Sequence, residues 1–182
     1  MAPAGPPAPS GSSNSLSAWI AEGGPTDATP YGFATSRCTG TKVLPGLHAF
    51  TSPSTNLSCF AELTVSPGKP SVPYLTCQTR LTSTSDTSST PYVYYTGNEV
   101  DTQVGHHGYP SDFQKFGQGP VLEYRHQIEV AGLRCRMDPT GLYCVDSKLH
   151  SGIRFSDNRI GGYSCLRPDA EDTTGKVTWW MC

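Results

Sequence analysis

The 182-residue sequence predicts a mainly β fold, in which antiparallel sheets stapled by disulfides form a sandwich or barrel-like body, on three observations. Charged residues are only 15% of the chain, while 19 Gly and 16 Pro separate short apolar runs rich in aromatic and β-branched residues, a composition of short strands and many turns. Asp138-Pro139-Thr140-Gly141 is a turn signal: Pro139 presets φ, Asp138 bonds back to the backbone, and Gly141 tolerates positive φ. If Met137 faces Leu142 across this turn, the same register sets Cys135 opposite Cys144, close enough for a disulfide. The third observation repeats the second, because Ser66-Pro67-Gly68-Lys69-Pro70 sits midway between Cys59 and Cys77 and predicts a longer hairpin with its own cross-strand pair.

In chain order, residues 1–30 are rich in Pro, Ala, Gly and Ser and are expected to be a disordered leader or tether. Their one apolar cluster, Leu16, Trp19 and Ile20, reads as a short helical turn packed on the domain surface, with docking on a partner as the alternative. Residues 31–182 are expected to form a single β-rich domain with two related halves, at about 38–95 and 119–165. In the first half the runs Lys42–Leu44, Leu47–Phe50, Leu57–Phe60, Leu63–Val65 and Tyr74–Cys77 read as half-buried strands. Leu57-Ser58-Cys59 and Leu75-Thr76-Cys77 then correspond to Leu133-Arg134-Cys135 and Leu142-Tyr143-Cys144 in the second half, a weak repeat compatible with duplication at a period of about 70 residues.

Residues 81–90 are nearly all Ser, Thr and Asp and read as a solvated loop. Pro91 to Tyr95 is expected to be a strand with two aromatic faces. Strands are also expected at Ser151–Ser156, Arg159–Cys165 and Lys176–Cys182. In the last of these, Trp179 and Trp180 point to opposite faces, so that one enters the core. Arg134 and Arg136 alternate with Cys135 and are expected to face solvent.

Seven cysteines without a CxxC, and five histidines without a zinc-site spacing to them, favour disulfides over a metal centre, and disulfides imply an oxidising compartment. After the two hairpin pairs, Cys38, Cys165 and Cys182 remain. A Cys38–Cys165 bridge would join the two halves and leave Cys182 as a free or intermolecular thiol. Pairing Cys165 with Cys182 would instead leave Cys38 free. The first is preferred. No apolar run approaches the roughly 18 residues of a membrane span, and the N-terminus lacks the basic and apolar regions of a signal peptide, so an export signal is expected to have been removed. A formal net charge of -2 with no Lys/Arg cluster argues against nucleic acid as a partner.

No catalytic constellation emerges. There is no G-x-S-x-G, and His106-His107, with Asp101 and Asp112 nearby, reads more simply as a polar Gly-rich loop than as a metal site or a general base. No cofactor is expected. The better candidates for binding are aromatic: Tyr92, Tyr94, Tyr95, Tyr109, Trp179 and Trp180, with His106 and His107, as a platform for a protein partner or a sugar face.

Several runs resemble a known family. These are Gly119-Pro120-Val121-Leu122 with Tyr124, Gly132-Leu133-Arg134-Cys135, Thr140-Gly141-Leu142-Tyr143-Cys144 and Ser151-Gly152-Ile153-Arg154-Phe155-Ser156, with the earlier Phe50-Thr51-Ser52-Pro53-Ser54-Thr55-Asn56-Leu57-Ser58-Cys59. They are similar to the motifs of a family of actinobacterial exported proteins and lipoproteins of unknown function, over about 47–80 and 119–156. The pattern departs from that family at Thr55 and Arg125, where the family has Gly, at Glu123 in place of Pro, and at Ile153-Arg154. It also lacks a cysteine between Cys77 and Cys135. The resemblance implies location and fold type only. The function expected is therefore that of a secreted or cell-envelope-associated, non-enzymatic binding or assembly protein that works with a protein partner or by self-association. The alternatives are a hydrolase of envelope glycans or esters and a small-ligand or lipid carrier.

Overall fold

A computed structural model describes residues 5–9, 11–36, 40–68, 70–79, 92–102, 116–156, 159–171 and 177–182. The chain opens with helix α1 (Ser13–Ala21) and strand β1 (Gly24–Pro25), then a 3-10 turn at Thr29–Gly32 and the hairpin β2 (Phe33–Ser36) and β3 (Gly40–Val43). Strands β4 (Leu47–Thr51), β5 (Leu57–Thr64), β6 (Val72–Thr79), β7 (Tyr92–Tyr95) and β8 (Glu99–Asp101) follow. Next come β9 (His126–Val130), β10 (Leu133–Asp138), β11 (Gly141–Asp146), β12 (Ser151–Phe155) and β13 (Ile160–Ser164), and finally β14 (Arg167–Glu171) and β15 (Val177–Met181).

Two sheets pack as a sandwich, one of six strands in the order β1-β9-β10-β11-β12-β13 and one of seven in the order β14-β15-β8-β7-β6-β5-β4. Period-2 alternation explains the core between them. Leu133, Cys135 and Met137 of β10 and Leu142 and Cys144 of β11 face Cys59 and Ala61 of β5, Leu75 and Cys77 of β6, and Val93 and Tyr95 of β7 in one buried cluster. Tyr95 crosses the core, its hydroxyl 2.8 Å from that of Ser151 on the opposite sheet, and Ser151 in turn donates to the Gly97 carbonyl.

Both hairpin disulfides lie inside this core. Cys135 pairs with Cys144 in the register that also sets Met137 opposite Leu142, and Cys59 pairs with Cys77 between β5 and β6. The third bridge corrects the preferred connectivity, because Cys165 is bonded to Cys182 and not to Cys38. The cause is the closing hairpin: β14 runs antiparallel to β15 with Arg167 opposite Met181, which brings the residues just outside that pair together. Cys182 is therefore no free thiol, and Cys38 lies outside the described residues.

Each half supplies the stapled central hairpin of one sheet, β5–β6 in the seven-stranded sheet and β10–β11 in the six-stranded one. Strands outside the halves extend both sheets, β15 pairing with β8 and β1 pairing in parallel with β9.

The expected disordered leader is a second correction, for residues 13–25 carry α1 and β1. The Ser12 hydroxyl accepts from the Ser15 N–H at 3.1 Å and caps α1. Leu16, Trp19 and Ile20, spaced i, i+3, i+4, then bury against Tyr143, Val145 and Tyr163 on the outer face of the six-stranded sheet. Arg136 points away from its disulfide as alternation requires, yet it is only 3% exposed because α1 covers it. Its guanidinium lies 3.9 Å from the Trp19 ring centroid and donates to the Trp19 carbonyl. Arg134 stays exposed, 3.7 Å from Glu129. The strap is held further by the Tyr163 hydroxyl on the Pro7 carbonyl at 2.9 Å and the Ser164 N–H on the Gly11 carbonyl at 2.8 Å.

Thr55 and Arg125, the two positions where the resembled pattern has glycine, both adopt left-handed backbone, with φ of 59° and 66°. A β-branched residue at such a φ is strained.

Candidate binding face on the seven-stranded sheet

The outer face of the seven-stranded sheet divides into two parts. Over β4 and β5, Ala49 and Phe60 are covered by Ala34, Leu44 and Phe116 from β2, the end of β3 and residues 116–122. Over β6, β7, β8 and β15 the same face carries a different set of side chains.

Parity determines which ones. Leu75 and Cys77 of β6, Val93 and Tyr95 of β7, Val100 of β8 and Trp180 of β15 point into the core, so Tyr74, Tyr92, Tyr94, Glu99, Asp101 and Trp179 point out. Register then places Trp179 beside Asp101 and Asp101 beside Tyr94, while Tyr74 stands opposite Glu62 on β5. Each of these two tyrosines thus has a carboxylate on the neighbouring strand. Their rings lie 5.7 Å apart at 42°, and the row from β15 to β6 spans about 14 Å at the usual strand spacing. All of these side chains are half-buried, and Met181, beside Glu99, is exposed. Arg167, opposite Met181, marks the outer edge.

The electrostatics are one-sided. Burial pushes the Tyr74 hydroxyl up, and Tyr94, Glu62, Asp101 and Glu99 push it further, to about 12. Among the described residues, every charged group acting on it is acidic. Tyr92 is also raised, by burial alone. Ring faces framed by carboxylates are suited to an ammonium or guanidinium group, which gains a cation–π contact and a charge-assisted hydrogen bond together.

These tyrosines have a consequence for pH. Burial raises Tyr163 to about 12 and lifts Tyr95 still further, against an ordinary value of 10.0. A hydroxyl whose folded-state pKa lies above its unfolded value contributes stability that is full below pH 10 and is lost as pH rises toward 12. Tyrosinate absorbance should therefore lag the ordinary titration and appear together with loss of the far-ultraviolet circular dichroism signal. A simple titration of all tyrosines centred at pH 10, with that signal intact, would contradict the burial described.

Of the aromatic residues singled out in the sequence, the fold brings Tyr92, Tyr94 and Trp179 together on this face. Tyr95 and Trp180 do not belong to it: they sit on the inner parity and are core residues, 0% and 7% exposed. His106, His107, Tyr109 and Asp112 lie outside the described residues. Tyr74, Glu62 and Glu99 were missed. For Tyr74 and Glu62 the signal was available, since each lies an odd number of residues from the cysteine of its own strand and so faces away from the disulfide. Among the described residues no three His, Cys, Asp or Glu side chains converge as a metal site.

Comparisons with protein-family models, curated proteins and solved structures give no match to this chain.

Proposed function

We propose that this is a non-enzymatic binding and assembly protein of the cell surface or extracellular space, and that the outer face of β6, β7, β8 and β15 takes a lysine- or arginine-bearing segment of a protein partner. The observation that carries the reading is the pairing of Tyr74 with Glu62 and of Tyr94 with Asp101, with Trp179 completing the row. Charge complementarity selects the occupant. A basic side chain adds favourable charge to a face lined by carboxylates, whereas an acidic segment would bring like charge against them. Three disulfides support the compartment, because such bonds persist where thiols are oxidised.

Trp179 is a built-in reporter, being the half-buried tryptophan of this face while Trp19 and Trp180 are buried. Titration with an oligolysine peptide should change its emission, and the affinity should fall as salt is raised. Tyr94→Ala should weaken binding about threefold to tenfold, the range of one cation–π contact. Glu62→Gln with Glu99→Gln and Asp101→Asn should remove it. An affinity indifferent to these changes, or an oligoglutamate or oligosaccharide that saturates the face where oligolysine does not, would contradict the proposal.

A further inference from the structure

A second site lies at one end of the sandwich, around the Asp138–Gly141 turn. A recess of about 300 Å³ opens there between four segments distant in sequence: the β4–β5 loop at Ser52 and Ser54, Tyr124, the β10–β11 turn, and the end of β12 from Arg154 to Ser156. We infer that this recess binds a neutral polyhydroxylated ligand, a single sugar ring.

The segments are held closely. Gly141, at φ 136°, runs against β12 so tightly that a Cβ there would stand 2.2 Å from the Phe155 carbonyl oxygen. One Asp138 carboxylate oxygen, Oδ1, accepts the Thr140 N–H at 3.0 Å and the Thr140 hydroxyl at 2.7 Å. Arg154 donates Nε and Nη2 to the Thr140 carbonyl at 3.3 and 2.9 Å. The Ser52 hydroxyl accepts the Leu57 N–H at 3.2 Å and lies 3.0 Å from that of Ser54. These bonds fix the side chains and still leave Asp138 Oδ2 and Arg154 Nη1 available among the described residues. The rim is therefore preorganised with both acceptors and donors.

The balance of groups selects the ligand. One guanidinium and one carboxylate cancel, so the recess favours neither an anion nor a cation, and an apolar occupant would desolvate both the Arg154 and the Asp138 groups without pairing them. Paired donor and acceptor groups match vicinal hydroxyls. Tyr124, half-buried at the rim, supplies an aromatic surface for the C–H face of a ring, over a floor formed by the core residues Leu57, Met137 and Phe155. The volume sits at the small end of the range for ligand sites, which suits one ring and not an extended chain. This site shares no residue with the aromatic face, so either assignment can fail alone.

The test is a residue-resolved NMR titration of the full chain with glucose, galactose, mannose and N-acetylglucosamine in turn, and with inorganic phosphate and acetate as charged competitors. At least one sugar should shift the amides of Ser54, Thr140, Gly141 and Phe155 with a dissociation constant on the order of millimolar. Ser54→Trp, which places a bulky side chain at the exposed rim, should abolish those shifts. Arg154→Lys, which keeps the charge but loses the planar fork, should weaken binding about tenfold. Both variants are checked for an unchanged spectrum elsewhere in the sandwich. The inference is overturned if no sugar shifts those amides, if phosphate or acetate shifts them more strongly, or if sugar binding survives in a folded Ser54→Trp protein.

Discussion

Replacing Cys59 and Cys77 together by alanine is expected to lower the unfolding free energy by about 3 kcal/mol, and more where the vacated core does not collapse. The bridge closes a loop with a sequence separation of 18, and both sulfurs lie in the centre of the buried cluster. Removing it therefore adds chain entropy to the unfolded state and a gap to the folded one. The Cys135–Cys144 bridge closes a loop with half that separation, 9. Since each doubling of loop length changes the entropic part by only about 0.6 kcal/mol, its loss should cost almost as much. For a chain of this length the effect corresponds to a fall in Tm of roughly 6–12 °C. Urea unfolding of the two double variants beside the parent checks this, and an unchanged midpoint for both would show that the hairpins are held by packing alone.

Trp19→Ala is expected to be the most damaging single substitution outside the sandwich core, at about 3–5 kcal/mol for the buried ring. It removes the largest side chain joining α1 to the six-stranded sheet, where Trp19 meets the Tyr143 ring edge-on at 5.0 Å. It also uncovers Arg136, whose Nε is already buried without a hydrogen-bond partner among the described residues. The cost should fall first on the strap. Limited proteolysis should cut between residues 5 and 25 in the variant under conditions that leave the parent intact, while the disulfide-bonded sandwich persists. If the variant were as resistant as the parent, the strap would be held by its polar contacts to Tyr163, Ser164 and Gln127 instead.

The parts of this fold that were legible in the sequence are those set by local chemistry. The Asp-Pro-Thr-Gly turn fixes a register, and that register places Cys135 on Cys144. The symmetry of Cys59 and Cys77 about their loop does the same for β5 and β6. What was not legible depends on partners distant in the chain. Arg136 has the correct parity, but only the docking of α1 buries it; the apolar cluster Leu16, Trp19 and Ile20 marked a helical turn on the domain, yet nothing local showed that it would land over Arg136. Cys165 finds Cys182 because β14 crosses to the opposite sheet and returns beside β15, a path that no local signal marks. The binding face was half legible. Aromatic residues drew attention to Tyr94 and Trp179, and the Cys59–Cys77 register already sets Glu62 opposite Tyr74, whereas Asp101 and Trp179 join them only through strand order.

The most direct test of the binding assignment is a residue-resolved NMR titration of the full chain with oligolysine. The account predicts amide shifts concentrated on Tyr74, Thr76, Tyr94, Glu99, Asp101 and Trp179, reduced by added salt and lost when the three carboxylates are neutralised. Shifts confined to the six-stranded sheet, or none at all, would contradict it.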